Sequence, residues 1–310
     1  MSKISPTAPL LAVIEAGGTK FNCELVTGAG AVLEQAVIPT QAPCITLAQV
    51  SDFFNAASAR HGAFAAMGIG SFGPVELNPA AANYGCITHT PKAGWRDTPI
   101  VDFFTREFGV PIGFETDVNA ALLGELAEGA AQGCQHAIYI TFGTGIGAGI
   151  CVDGKLLQGR AHPEVGHLLI PSLAQDSFAG CCPFHGNCAE GLASGTALTQ
   201  RWQQAPTKLP ADHRAWPMQA YYAAALCVNL TQCFAPEKIV LGGGVMQQPR
   251  LLGMIQQQFL ELLQGYGPVA VLDNVQDFIV ATSLHGRAGV LGARLLAASA
   301  LNTVTPAVNV

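Results

Sequence analysis

One short segment, residues 162–190, constrains the fold of this chain more than any other. It contains Cys182, His185 and Cys188, each three residues from the next. This spacing lets one tight loop aim two thiolates and an imidazole at a single point, and His167 is the natural fourth donor for a tetrahedral set. Two thiolates and two imidazoles with no open position are typical of structural zinc, which contributes folding energy directly.

Two other interpretations of this segment stay open at the level of sequence. The thiols could be buried beside an incidental histidine, or Cys181 and its neighbour could be redox-active. Two carboxylates flank the cluster: Glu164 precedes His167 by three residues, and Glu190 follows the last cysteine by two. A metal that pins the loop would also pin these carboxylates, which suits recognition of a polyhydroxylated ligand.

Taken together, the Glu-x-x-His, Cys-x-x-His-x-x-Cys and Cys-x-Glu patterns resemble the signature of the ROK family of sugar kinases and sugar-responsive repressors. The version Cys-Pro-Phe-His-Gly-Asn-Cys, residues 182–188, is similar to that of the family's bacterial fructokinases. The resemblance implies an ATP-dependent hexose kinase with a structural Zn²⁺ ion.

Composition excludes several classes of protein. The chain has 310 residues, of which 50% are hydrophobic and 12% charged, which indicates a well-buried α/β protein of two lobes or domains. A net charge of −6 without a lysine or arginine cluster predicts no nucleic-acid partner. No apolar run reaches about 18 residues, so no membrane helix is expected. Ten irregularly spaced cysteines without an export signal favour reduced thiols in the cytoplasm.

The order of predicted elements shows a weak internal duplication. Each half begins with hairpin-linked strands and continues with alternating helices and strands. Strands are predicted at 10–16, 21–26, 32–38, 65–69, 111–115, 136–142, 148–152, 238–241 and 277–281. Helices are predicted at 47–59, from Thr98-Pro99 to Phe108, and at 118–131, 218–234, 251–263 and 286–299.

The family resemblance gives this order a fold name. It implies the actin-like ATPase, ribonuclease-H-like duplicated fold, with two lobes, a cleft and a zinc-containing insertion. The expected N-terminal lobe is 1–117, completed by the C-terminal helix 286–310. The expected C-terminal lobe is 118–285, with the zinc loop at 162–190.

Three glycine-rich turns are candidates for nucleotide binding. Glycines permit tight turns whose amide groups can face an anion. A plain hairpin or a plain strand-to-helix turn remains the alternative in each case. The resemblance implies that two hairpin loops hold the ATP phosphates and that the third turn borders the adenosine. The expected contacts are Gly17, Gly18, Thr19, Lys20, Thr141, Gly143, Thr144, Gly145, Gly242, Gly243 and Gly244.

The second of these loops, residues 141–147, also satisfies a loose dinucleotide-binding fingerprint. That fingerprint requires a helix directly after the glycines. Residues 148–152 are instead apolar and β-compatible, and they are followed by an Asp153-Gly154 turn. We therefore expect a hairpin here and not a Rossmann dehydrogenase.

Asp117 lies where a predicted strand ends and a helix begins. Helix capping is the simpler interpretation of such an aspartate, but the resemblance implies that it is the catalytic base. The sugar contacts implied by the resemblance are Gly73, Asn83, Thr116, Asp117, Glu164, His167 and Glu190. Family members usually carry Asp where Glu15 stands, a position that commonly orders Mg²⁺ through water, so Glu15 is the expected magnesium ligand.

Several departures from the family pattern favour fructose as the substrate. Thr116 replaces the usual asparagine, and residues 87–95 depart from the motif of glucokinase-like members; His89 and Lys92 in that segment contact either substrate or solvent. Kinases for mannose, glucose or N-acetylmannosamine remain alternatives, as does a non-catalytic sugar-sensing protein. Only nine residues precede the first predicted strand, so no DNA-binding domain is expected there. Family behaviour suggests a homodimer.

Overall fold

The computed structural model describes residues 9–267 and 269–304, and it divides into two compact units. The first unit runs up to Gly124 and also takes Gly159–His162 and the chain from Arg287 onward. The second comprises Glu125–Gln158 and Pro163–Gly286.

The first unit is built on a five-stranded mixed sheet. The sheet order is β3-β2-β1-β4-β5, in which β1–β2 and β2–β3 are antiparallel hairpins while β1–β4 and β4–β5 are parallel. Its elements are β1 (Leu10–Ala16), β2 (Lys20–Thr27), β3 (Val32–Pro39), α1 (Pro43–His61), β4 (Ala66–Ser71), α2 (Ile100–Phe108), β5 (Ile112–Thr116), α3 (Asp117–Glu128, which continues into the second unit) and α10 (Ala288–Val304).

Helix α10 packs directly against this sheet, on β1, β4 and β5. The close approach depends on glycines in the strands: a Cβ on Gly68 would collide with the backbone oxygen of Ala293, and one on Gly113 with that of Leu296. The opposite face of the sheet carries the aromatic core around Phe21, Phe54 and other buried rings. The C-terminal helix is therefore an integral layer of the first unit.

The second unit repeats the hairpin-first pattern. Its sheet order is β10-β9-β6-β7-β8, with β6–β7 and β7–β8 antiparallel and β9 parallel to both β6 and β10. Its elements are β6 (Ala137–Phe142), β7 (Ile146–Val152), β8 (Lys155–Leu156), α4 (Ala189–Ala193), α5 (Gly195–Trp202), α6 (Ala215–Phe234), β9 (Lys238–Gly242), α7 (Leu251–Leu263), α8 (Val269–Asp273), α9 (Val275–Phe278) and β10 (Ile279–Ala281), with 3₁₀ turns at Val165–His167, Pro206–Lys208 and Gly244–Gln247.

The structure corrects the sequence prediction at two element ends. Residues 277 and 278 were predicted as strand, but they lie in α9, and the strand begins only at Ile279. Thr98 was predicted to cap α2 with Pro99 as its first residue. The proline itself occupies the cap position instead, and no side chain caps the helix. In both places the regular element begins one or two residues later than the sequence predicts.

Other local predictions agree closely with the structure. The Asp153-Gly154 turn closes the β7–β8 hairpin with positive φ at both residues, and α7 has the predicted bounds. None of the helices in the described residues is both long and apolar enough to cross a membrane.

Candidate functional site

The candidate base Asp117 is the first residue of α3, directly after β5 ends at Thr116. Its Oδ1 accepts a hydrogen bond from the N–H of Val118 at 2.9 Å. The Thr116 hydroxyl accepts from the N–H of Asn119 at 3.0 Å, so it caps the first turn of the helix. With only 3% of its surface exposed, Thr116 has a structural task that the sequence did not indicate.

Sequence reasoning assigned no role to Glu115 and Asn119, which support this turn from inside. Glu115 Oε2 accepts from the Asn119 side-chain amide at 2.8 Å and from the Thr116 N–H at 3.3 Å. Burial raises the pKa of Glu115, while the Asn119 bond acts in the opposite direction. The helical four-residue rule could not have found this pair, because Glu115 lies in β5 and Asn119 in the first turn of α3.

The loop after β4 presents the peptide group of Gly73. The neighbouring Phe72 N–H donates to the Ala16 carbonyl at 2.7 Å. Pro74, which follows Gly73 through a cis peptide bond, accepts from both the N–H and the hydroxyl of Thr88, at 2.7 and 3.1 Å. Asn83 lies farther along the first unit in an exposed turn, where its carbonyl accepts from the Cys86 N–H at 3.1 Å.

The first glycine turn joins β1 and β2. Gly17 N–H donates to the Lys20 carbonyl at 3.0 Å, and the Thr40 hydroxyl donates to the Gly17 carbonyl at 2.7 Å. Within the described residues the N–H groups of Gly18 and Thr19 have no protein acceptor. Two adjacent amides without acceptors, beside a lysine, form the kind of concavity that binds an anion.

Glu15, at the end of β1, has protein neighbours on both carboxylate oxygens. The Asn22 amide donates to Oε2 at 2.5 Å, and a Cβ on Gly289 would lie 2.5 Å from Oε1. Burial raises the pKa of Glu15, and the Asn22 bond and the Lys20 charge lower it in part. The structure thus holds this carboxylate in one position at the end of β1.

In the second unit, the loop from Thr141 to Gly147 is a hairpin, as predicted, because β6 and β7 pair antiparallel across it. Gly143 N–H donates to the Gly145 carbonyl at 2.9 Å. No protein acceptor among the described residues faces the N–H groups of Thr144 and Gly145. This hairpin thus repeats the arrangement of the first glycine turn.

The residues that follow the cysteine segment hold this hairpin in place. Gly195 N–H donates to the Gly143 carbonyl at 2.7 Å, and the Thr196 hydroxyl donates to the Thr144 carbonyl at 2.8 Å. Glu190 Oε2 accepts from the N–H of Ile146 at 2.9 Å. A Cβ on Gly145 would collide with this Oε2, so a larger residue there would displace the Glu190 carboxylate.

The glycine triplet after β9 is explained largely by packing. A Cβ on Gly242 would collide with the Tyr139 hydroxyl, and one on Gly243, whose φ is +91°, with the backbone of Phe142. Only Gly244 borders open space, at the start of a 3₁₀ turn. The plain-turn alternative therefore accounts for two of the three glycines, and Gly244 retains room for a flat group.

The four predicted zinc ligands converge. One donor atom from each of His167, Cys182, His185 and Cys188 lies within 4.8 Å of all the others. His167 Nδ1 is 3.6 Å from both cysteine sulfurs, and His185 Nδ1 is 3.8 Å from Cys182 Sγ. Tetrahedral zinc with bonds of about 2.3 Å to sulfur and 2.05 Å to nitrogen separates such atoms by about 3.6 Å. The donor set therefore fits a Zn²⁺ ion.

Of the two flanking carboxylates, Glu164 lies within reach of the negative charge of Glu190. The pKa of Glu164 is raised to about 7, first by the surrounding protein, which shields the carboxyl group from water, and second by the negative charge of Glu190. Part of the residue nevertheless remains exposed to solvent. Glu190 lies in the first turn of α4, directly after the cysteine segment. A metal ion bound by the four ligands would fix both carboxylates, because Glu164 closely precedes His167 and Glu190 closely follows Cys188.

A buried ion pair anchors the chain between His167 and Cys182. Arg201 Nη2 lies 3.0 Å from Asp176 Oδ2, and both side chains are almost wholly buried. The Tyr222 hydroxyl donates to the same oxygen at 2.6 Å, and the Phe178 N–H donates to Oδ1 at 3.1 Å. Sequence reasoning missed this group because its members come from a loop and two helices.

The predicted site residues are thus shared between the two units. The first unit carries Glu15, Gly17, Gly18, Thr19, Lys20, Gly73, Asn83, Thr116 and Asp117. The second carries Thr141, Gly143, Thr144, Gly145, Glu164, His167, Cys182, His185, Cys188, Glu190, Gly242, Gly243 and Gly244. Each unit combines a glycine hairpin with neighbouring carboxylates.

Comparisons with known proteins identify the family of this chain. The ROK family matches residues 11–300. A fructokinase of Pediococcus pentosaceus is 43% identical over 94% of this chain and 99% of its own length, and a fructokinase of Zymomonas mobilis is 41% identical over 93% and 96%. A ROK family glucokinase of Streptomyces griseus, solved with glucose and AMPPNP, superposes with a TM-score of 0.72 at 27% identity, covering 94% of this chain and 99% of that one. Its fold is therefore that of the actin-like ROK sugar kinases, and the chain belongs to the ROK family.

Proposed function

We propose that this protein transfers the γ-phosphoryl group of ATP to a hexose, with D-fructose as substrate and fructose 6-phosphate as product. The observation that carries the proposal is identity above 40% to fructokinases over more than nine-tenths of the chain. The site residues also support it. Phosphoryl transfer to an alcohol needs loops that hold the phosphates, here two glycine hairpins, and a base for the hydroxyl, here a carboxylate at a helix start.

Asp117 is the proposed catalytic base. Phosphoryl transfer needs the attacking hydroxyl held in line with the phosphorus and its proton accepted as the new P–O bond forms. The alcohol loses its proton late, so a carboxylate placed beside the hydroxyl can accept it as the new bond forms. The bond from Val118 and the cap by Thr116 fix the turn that carries Asp117, so the base needs little reorganisation when substrate binds.

The two hairpins are the proposed phosphate contacts. In the first hairpin, Gly18 and Thr19 offer amides without protein acceptors, Thr19 adds a hydroxyl and Lys20 a positive charge, and Gly17 closes the turn. In the second, Thr144 and Gly145 offer the amides, and Thr141 and Gly143 flank them. The third turn contributes through Gly244, with Gly242 and Gly243 shaping it. Mg²⁺ would neutralise phosphate charge and keep most of its waters. Its proposed link to the protein is Glu15, through water.

Sugar recognition is proposed for Gly73, Asn83, Thr116, Asp117, Glu164, His167 and Glu190. Sugar hydroxyls both donate and accept, so carboxylates and peptide groups recognise them well. The contribution of Thr116 is limited by its low exposure and its capping bond. His167 directs Nδ1 into the cysteine cluster, which leaves the other ring nitrogen as its possible sugar contact.

Zinc is the proposed structural ion of the cysteine segment. The ion would join His167 to a loop that begins after fourteen intervening residues and hold Glu190 at the start of α4. Since four protein donors fill a tetrahedron, this ion would have no open position for substrate or water. Its contribution would be to folding and to the positions of its neighbours.

One assay tests the proposed activity directly. ADP release from Mg-ATP is measured with fructose, mannose, glucose and N-acetylmannosamine. Strong turnover with fructose supports the proposal and makes residues 87–95 candidates for specificity. Turnover with another hexose instead would retain the kinase mechanism and replace the substrate. Absence of turnover by zinc-loaded, folded protein would favour the non-catalytic sugar-binding alternative.

A homodimer and a cytoplasmic location are also proposed. The dimer rests on family behaviour, and light scattering coupled to size-exclusion chromatography measures it. The location rests on ten free cysteines, which suit a reducing compartment.

A further inference from the structure

His162 occupies an unusual place in the chain path. The segment Gly159–His162 is part of the first unit, although the chain before it and the chain from Pro163 onward belong to the second. His162 is the last residue of this excursion. Its side chain is buried, with only 9% of the residue exposed.

The imidazole is bonded to the loop that follows β4. The Val75 N–H donates to Nε2 of His162 at 3.1 Å, across 87 residues of sequence. Because Nε2 accepts this bond, it carries no proton, and the ring is neutral when the bond is made. The ring also packs over Gly73, since a Cβ on Gly73 would lie 3.5 Å from Cε1 of His162.

Every peptide group around Gly73 has a partner, while that of Gly73 does not. Phe72, Pro74 and Val75 are bonded to Ala16, Thr88 and His162 respectively. In the described part of the chain neither the N–H nor the carbonyl of Gly73 meets a protein partner. The loop is therefore built to hold one peptide group rigidly while leaving it available to a ligand.

We propose that His162 is a positioning residue for sugar binding. By accepting the Val75 N–H and covering Gly73, it fixes the peptide of Gly73 in the orientation that bonds a hexose hydroxyl. This inference rests on the proposed function, because it takes Gly73 as a sugar contact. It adds a residue on which the affinity for the sugar depends and on which the affinity for ATP does not.

The test replaces the acceptor and keeps the ring. His162→Phe leaves the buried Val75 N–H without a partner, which loosens the loop. We expect the KM for fructose to rise about tenfold, equivalent to about 1.4 kcal/mol, with the KM for ATP within twofold of wild type. His162→Gln, whose Oε1 can stand where Nε2 stood, is expected to restore the KM for fructose to within threefold.

The chain offers a matched control. His213 also accepts a backbone N–H with a ring nitrogen, from Ala215 at 3.1 Å, and it contacts the ring of Trp202 in the second unit. His213→Phe removes the same type of bond away from every candidate site residue. It is expected to lower thermal stability without changing either KM, which separates loss of positioning from general loosening.

Three results would overturn the inference. They are an unchanged KM for fructose in folded His162→Phe, an equal rise in both KM values, or no recovery with His162→Gln. If His162→Phe does not fold, His162→Asn, whose shorter amide cannot reach the Val75 N–H, replaces it in the comparison.

Failure of the proposed function would give different results from failure of the role of His162. If wild-type protein turns over another hexose, the same variants are compared with that sugar, and the inference is still tested. If it turns over none, calorimetric titration with fructose measures sugar binding directly. Absence of any sugar binding by wild type would overturn both the proposed function and the role of His162.

Discussion

The buried ion pair between Asp176 and Arg201 allows a quantitative prediction. Their side chains are 4% and 6% exposed, and Nε and Nη1 of Arg201 already lack partners in the described structure. Asp176→Ala would leave a buried guanidinium with no counter-charge and would also remove the acceptors of the Tyr222 hydroxyl and the Phe178 N–H. Breaking one side of a buried pair costs about 3–5 kcal/mol.

For a unit of this size, that cost corresponds to a decrease in melting temperature of roughly 6–20 °C. The assay is thermal unfolding of zinc-loaded protein followed by circular dichroism. Asp102→Ala is the control, because Asp102 forms an exposed i,i+4 pair with Arg106, a type worth roughly 0.3–0.5 kcal/mol.

A double variant tests the cause of the loss. Replacing both partners, as Asp176→Leu with Arg201→Met, removes the uncompensated charge and is expected to recover most of the lost stability. A decrease below 3 °C in Asp176→Ala would refute the reasoning, as would a double variant no more stable than the single one.

Four further predictions concern the proposed site. Asp117→Asn should abolish turnover while sparing ATP binding in calorimetry, and near-normal turnover would remove its role as base. Cys188→Ser should lower bound zinc from one ion per chain to none in metal analysis and destabilise the second unit; a metal-free wild type that is fully folded would contradict this. Thr196→Val should weaken ATP binding about two- to tenfold by freeing the Thr144 carbonyl. Thr199→Val is the control, because the Thr199 hydroxyl bonds within its own helix, and this change should leave ATP binding unaltered. Folded Glu164, with its pKa raised from 4.5 to about 7, retains a proton that the unfolded chain has released. The free energy of unfolding should therefore fall as pH rises from 6 to 7.5. Glu164→Gln should remove this part of the slope in urea titrations, and an identical slope in both proteins would contradict the assignment.

Sequence reasoning succeeded where the relevant partners are close in the chain. Three of the four candidate zinc ligands lie within seven residues, so their convergence follows from local geometry. The hairpin interpretation of 141–147 was also a local matter, because an apolar run ending in Asp153-Gly154 can only turn back on itself. The pairing of β6 with β7 confirms it.

It failed where local structure overrides composition: Asp277 and Phe278 read as strand but form a helical turn before β10. Gly242 and Gly243 remain predicted ligand contacts, and the structure adds a packing reason for glycine at both positions, from Tyr139 and Phe142 beside them. Hydropathy and spacing do not record which neighbour fills the space next to a glycine.

The sequence by itself determined the order of the main strands and helices and the set of metal-type ligands, and the class of chemistry followed from the family resemblance of its motifs. The first two depend on periodicity, turn residues and side-chain type, which are properties of short windows. Only the tertiary structure decided that His162 supports Val75, that Asp176 pairs with Arg201, and that Glu190 holds the second glycine hairpin. Those contacts join residues 87, 25 and 44 positions apart. They exist because the path of the folded chain brings these polar groups within hydrogen-bonding distance of one another.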